Sequence, residues 1–108
     1  MRAAKIFSNN ILAGILTENN DGSFTFGYDE NYFRSNNYSS ISLTLPKTQQ
    51  EFHSNTLFPF FFNLLSEGLN RSVQSRLHKI DEEDDFGLLM AVTENDVIGA
   101  VTFEKVEL

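Results

Sequence analysis

The sequence predicts an α+β domain: a small antiparallel sheet is laid down first, about three short helices pack on it, and a last strand returns. Three observations carry this expectation. Runs with strand composition, one weakly alternating, one aliphatic and one cleanly alternating, fill the first 28 residues and are separated by Asn- and Gly-rich turns. Apolar spacing then changes to threes and fours in the second half. A final apolar segment with strand composition closes the chain, and strands followed by helices argue for α+β over a βαβ repeat.

Taken in order, Ala3 to Ser8 reads as a first strand ending in the turn pair Asn9-Asn10. Ile11 to Thr17 is the second. Asn19-Asn20-Asp21-Gly22 is the strongest hairpin signal, because Asn, Asp and Gly tolerate positive φ. Ser23 to Tyr28 alternates cleanly and places Phe24, Phe26 and Tyr28 on one face, which completes a three-stranded meander. Asp29 to Ser35 reads as one helical turn with Tyr32 and Phe33 inward, and Asn36 to Ser40 as loop. Ile41-Ser42-Leu43-Thr44-Leu45 alternates again and stops at Pro46, which predicts a short strand at a sheet edge.

A helix capped by Ser54 or Thr56 is expected to run to about Leu65, with Pro59 in its first turn and Gly68 as its stop. Val73, Leu77 and Ile80 mark the stripe of a second helix, Asn70 to Ile80. Asp81 to Asp85 supplies acids that complement the dipole of a third short helix beginning at Phe86. Asn95-Asp96 turns the chain into a last strand, Val97 to Phe103. Residues 1–108 form one domain, without repeats or linkers.

Composition narrows the function. The chain is 41% hydrophobic, and eleven phenylalanines supply much of the core. Each contributes roughly 1.5–3 kcal/mol when fully buried. No cysteine is present, which excludes disulfides and thiolate metal sites. Met1 to Lys5 is basic like the start of a signal peptide, but Ser8, Asn9 and Asn10 interrupt any apolar region behind it. Leu57 to Phe62 is too short to span a bilayer. A cytoplasmic protein is therefore expected, and the sequons at Asn37 and Asn70 are chance matches. The formal charge of −7 repels phosphate backbones, so direct nucleic-acid binding is disfavoured, whereas a basic protein partner is favoured.

The candidate chemical constellations have bland explanations. Asp81-Glu82-Glu83-Asp84-Asp85 lacks the alternating ligands, central Gly and distant Glu of a calcium loop, and reads as a solvated helix start. His53 is expected in a polar loop and His78 beside Arg76 and Lys79, with no metal-ligand spacing. No glycine pattern cradles phosphate and no serine sits in a nucleophile elbow. The expectation is a protein with no catalytic residues, cofactor or metal.

The unusual segment is Leu57-Phe58-Pro59-Phe60-Phe61-Phe62-Asn63-Leu64-Leu65, whose apolar side chains surround most of a helix. Either this helix is sandwiched in the core, or part of it forms an exposed patch that marks an interaction site. In the second case Leu65, Ser66, Glu67, Gly68 and Leu69, on the connecting loop, lie beside the patch.

The same region carries a family resemblance. Phe60 to Gly68, followed by Arg71, resembles the "FF-x-NLLPEG…R" signature of the N-terminal subdomain of the HipA family. Asp85-Phe86-Gly87-Leu88-Leu89 and Gly99-Ala100-Val101-Thr102 are similar to its "DFGLL" and "GAVT" stretches. Ala13 to Leu16, Phe24-x-Phe26-x-Tyr28 and Leu43 to Pro46 are similar to its "VGEL", "F-x-Y" and "LSLP" elements, so the resemblance spans nearly the whole chain. Ser66 stands where the family usually has Pro, and Phe62 where it is often polar. In HipA proteins this subdomain precedes a Ser/Thr kinase body countered by the DNA-binding protein HipB. This chain stops where the kinase would begin, so it resembles the HipS-type antitoxin of tripartite HipBST systems. The resemblance implies binding to a HipT-like Ser/Thr kinase near its N-lobe and active-site cleft, with a HipB-like helix-turn-helix protein in the same complex. The residues expected to bind are Phe62, Leu64, Leu65, Ser66, Glu67, Gly68, Leu69 and Asn70. The alternative is a non-inhibitory subunit that completes the kinase or assembles it with the repressor.

Overall fold

The computed structural model describes residues 1–67, 84, 86–90 and 101–106. The meander forms as expected: β1 (Arg2–Ser8), β2 (Ile11–Glu18) and β3 (Phe24–Tyr28) pair antiparallel in sequence order. Asn9 and Asn10 both take positive φ, 51° and 68°, the two-residue turn that matches strand twist. Gly22 takes φ 87° in the second turn. Between Ile6 and Phe7 the register slips, because Phe7 faces Leu12 while Ile6 faces Gly14. Ala13 is the extra residue of this bulge and is fully buried.

Helix α1 (Glu30–Arg34) follows, started by the Asp29 carboxylate, which accepts from the backbone N–H groups of Asn31 and Tyr32. Tyr32 is buried, and its ring stacks between Tyr28 and Tyr38 at centroid distances of 5.8 and 5.0 Å. Lys47 closes the following loop. Its Nζ donates to the carbonyls of Ser35 and Tyr38 at 2.6 and 2.8 Å and lies over the Tyr32 ring.

The edge strand expected at Ile41–Leu45 does not form. The Tyr28 hydroxyl reaches out of β3, accepts from the Ile41 N–H at 3.1 Å and donates to the Leu45 carbonyl. Residues 41 and 45 are thereby drawn to one point and the chain turns between them, with Leu45 N–H donating to Ser42 O at 3.1 Å. Leu45 is buried, while Leu43 is 99% exposed. The edge position is taken instead by β4 (Glu51–Ser54), which pairs antiparallel with β3. His53 therefore lies on a strand and not in a loop.

Helix α2 (Pro59–Glu67) starts at the proline, later than the Ser54 or Thr56 caps. The residue before a proline avoids the helical region, and the ring presets φ for the first helical position. Ser54 ends β4, where its hydroxyl accepts from the Thr56 N–H. Residues 86–90 are helical, begun by Asp84, whose Oδ1 accepts from the Gly87 N–H at 3.1 Å. The last strand, β5 (Val101–Val106), pairs antiparallel with β1 and completes the order β4-β3-β2-β1-β5. The expected helix Asn70–Ile80 and the start of the last strand at Val97 lie outside the described residues. The core lies on one face of this sheet: Ile6, Leu16 and Phe26 meet Phe61 of α2 and Phe86, Leu88 and Leu89 of the third helical stretch.

Candidate partner-docking surface

For Leu57 to Asn63 of the phenylalanine-rich segment, the structure answers the alternatives residue by residue; the side chains of Leu64 and Leu65 lie outside what it describes. Leu57 and Phe58 enter the core just ahead of the helix, and Phe61, one turn on, is fully buried. Its ring lies 5.2 to 6.3 Å from those of Phe60, Phe26, Phe103 and Phe58. Phe60 is half-buried against this cluster. Phe62 points the other way and is 43% exposed, with Asn63 exposed beside it. The segment is thus core on one side and apolar surface at Phe62.

Of the expected binding residues, Leu64, Leu65, Ser66 and Glu67 lie on α2, whose backbone continues helical to Glu67. Leu65, Ser66 and Glu67 were expected on the connecting loop; the helix extends through them because nothing in Asn63-Leu64-Leu65-Ser66-Glu67 breaks it before Gly68. Gly68, Leu69 and Asn70 lie outside the described residues.

One charged cluster ties the chain's start to its later helical stretch. Arg2 donates to both Asp84 oxygens, at 2.6 and 3.0 Å, and through Nε to Glu18 at 2.8 Å. Its guanidinium lies 5.0 Å from the Phe86 ring centroid. The Arg2 hydrogen bonds hold the Asp84 carboxyl below its ordinary value, against the opposing effect of burial. Asp84 so serves as cap and anchor together.

The sheet face turned away from the core carries two rows fixed by register. Glu104, Lys5, Ile15, Gly27 and Glu51 lie across the strands in one, and Val106, Ala3, Thr17, Thr25 and His53 in the other. Thr25 Oγ1 lies 3.1 Å from His53 Nδ1, and His53 Nε2 lies 2.8 Å from Glu51 Oε1. Asn19 donates to the same threonine oxygen at 3.1 Å, so a run of hydrogen bonds stitches β4 to β3. His53 and Glu51 are well over half exposed, so this trio sits in water without the exclusion that nucleophilic catalysis needs. Beside it a notch of about 320 Å³ opens over Gly27, lined by Ile15, Thr17, Thr25, Asp29, Gln50 and Glu51 among others. The residues themselves gave one signal for this notch, the small Gly27 at an outward position of β3. Among the described residues no group of three His, Asp or Glu side chains forms a metal site, and no helix is long and apolar enough to cross a membrane.

A five-stranded antiparallel sheet covered on one face by short helices, with Phe62 exposed on α2, defines an α+β domain. The family model described as HipA N-terminal domain matches residues 4–104, and the chain belongs to this family. The solved N-terminal domain of HipA toxin is similar in structure, with a TM-score of 0.68 and 27% sequence identity, over 99% of this chain and 94% of that one. A protein of Haemophilus influenzae (strain ATCC 51907 / DSM 11121 / KW20 / Rd), described only as uncharacterized, is 35% identical over 97% of this chain and 93% of its own length. "Putative kinase Y4mE" of Sinorhizobium fredii (strain NBRC 101917 / NGR234) is 29% identical over 94% of this chain, which spans only 24% of that protein.

Proposed function

We propose that this domain is the antitoxin of a HipBST-type toxin–antitoxin system, a HipS-like chain that binds a HipT-like Ser/Thr kinase and restrains it. The observation that carries the reading is the near-complete match to the N-terminal domain of HipA toxin, over 94% of that chain. The same domain forms about a quarter of a longer protein that bears a kinase name, which supports a kinase as the body it sits against. The Haemophilus relative, matched over 93% of its own length, supports the domain existing at this size as a protein of its own.

On this reading the domain acts in the cytoplasm and catalyses nothing itself. It docks beside the kinase N-lobe and active-site cleft, with a HipB-like helix-turn-helix protein in the same complex. Phe62 and residues 64 to 70 form the contact. Binding energy comes from apolar burial at this face, and the net negative charge steers the encounter more than it tightens the complex. The test is phosphorylation by the kinase, with and without this chain, together with growth on co-expression. Loss of phosphorylation and relief of toxicity are expected. A kinase that binds the chain yet stays fully active overturns inhibition and leaves a structural subunit that completes or assembles the kinase.

A further inference from the structure

We propose that the notch over Gly27 on the outer sheet face receives an arginine side chain of the protein on which this domain docks. The proposal rests on the docking reading above and adds to it a second contact, on the face opposite the core.

The notch follows from register. Ile15, Gly27 and Glu51 stand side by side on β2, β3 and β4, and the middle one has no side chain. A Cβ built on Gly27 meets nothing within 4 Å, so the backbone there is open to approach. Ile15, 44% exposed, forms an apolar wall on one side. Thr17, Thr25, Asp29 and Glu51 complete the lining, and the last two give it two acidic residues. Each carboxylate is half used. Asp29 Oδ2 accepts from the N–H groups of Asn31 and Tyr32, and Glu51 Oε1 faces His53; the second oxygen of each makes no hydrogen bond among the described residues.

No cation lines the notch, and Lys5 lies across Ile15 on β1, opposite Glu104. The occupant that complements this arrangement has a flat apolar stem, to lie over Gly27 against Ile15, and a cation with several donors for separated acceptors. Arginine meets both needs, because its planar fork presents five N–H groups where lysine offers a point charge. The chain's net charge of −7 favours the same partner chemistry.

The direct test is a titration of the ¹⁵N-labelled chain with N-acetyl-arginine amide, followed through backbone amide shifts. Saturable shifts are expected at Ile15, Thr25, Gly27 and Glu51, weaker with N-acetyl-lysine amide and absent with the neutral citrulline analogue. Gly27→Val fills the notch without strain, since the strand is extended and the space empty, and is expected to keep the fold and abolish the shifts. Equal shifts with citrulline, no shifts at these amides, or shifts that survive in Gly27→Val overturn the proposal. In a second arm, Gly27→Val is expected to weaken binding to the kinase at least tenfold. A kinase that binds wild type and Gly27→Val equally overturns the notch and leaves the docking reading standing. Arginine binding without any kinase binding does the reverse.

Discussion

Phe61 and Phe62 are neighbours of identical chemistry on one helix, and replacing each separates the core from the proposed contact surface. Phe61 is fully buried among four other phenylalanine rings. Phe61→Ala removes its burial and leaves a cavity, at a cost of roughly 3–5 kcal/mol. Domains of this size are stable by about 5–15 kcal/mol in total, so the variant is expected at the edge of folding. Each kcal/mol lowers the melting temperature by about 4 °C, which gives a drop on the order of 12–20 °C. Phe62, 43% exposed, contributes little to the monomer, and Phe62→Asp is expected within about 0.5 kcal/mol of wild type. The same change places a charge on the apolar face and should abolish kinase binding. Urea unfolding is read by far-UV circular dichroism or tyrosine fluorescence, since the chain has no tryptophan. Binding is read by calorimetry on the folded variants. A Phe61→Ala cost below about 1 kcal/mol would mean that α2 does not seat on the sheet. Equal destabilisation by both changes would refute the assignment of inner and outer faces.

Three further outcomes follow from contacts elsewhere. A Cβ at Gly14 would lie 2.3 Å from the Gly27 carbonyl oxygen and 2.9 Å from the Phe26 ring, so Gly14→Ala is expected to cost at least about 2 kcal/mol in urea melts, in contrast to the tolerated change at Gly27. Tyr28→Phe strands the Ile41 N–H and the Leu45 carbonyl and should cost about 1–3 kcal/mol near neutral pH. Burial raises the Tyr28 phenol above its ordinary value, so its contribution is complete below about pH 10 and is lost as pH rises through the folded value; alkaline melts should show that loss in wild type and less of it in Tyr28→Phe. Asp84, held low by Arg2, contributes above the unfolded carboxylate value and loses that contribution as pH falls below about 4; Arg2→Met should cost about 1 kcal/mol at neutral pH and flatten the acid limb.

The meander was legible because β3 divides cleanly between a buried face and an open one, because β2 is rich in aliphatic residues, and because Asn9-Asn10 and Asn19 to Gly22 can hardly be anything but turns. Ile41 to Leu45 shows how the same signal misleads. Its alternation arises from a turn that buries Leu45 and leaves Leu43 in water, and the cause, the Tyr28 hydroxyl, lies 13 residues away from Ile41. β4 is the converse. Glu51-Phe52-His53-Ser54 has one apolar residue to announce a strand, and its pairing partner Gly27 to Phe24 supplies the reason it forms. The candidate contact at Phe62 was visible as an excess of apolar residues over what one helix face holds. Which phenylalanine stayed outside depended on the helix phase, and that was set by Pro59.

That dependence on distant partners explains why the two proposed contacts differ in how they could be foreseen. A helix writes its exposed face into consecutive residues, so an apolar surplus there is local and readable. The Gly27 notch is written across three strands, as Ile15, Gly27 and Glu51, residues spread over 36 positions that only register brings together. Each alone is ordinary: an exposed isoleucine, a glycine in a strand, a surface glutamate. Their meaning lies in adjacency, because the missing side chain matters only when its neighbours supply an apolar wall and an unpaired carboxylate oxygen. A domain that contacts a partner through both features engages it with one side chain inserted from a helix and one accepted by the sheet. Such a pair of contacts on different elements fixes orientation as well as affinity, which a single apolar patch does not.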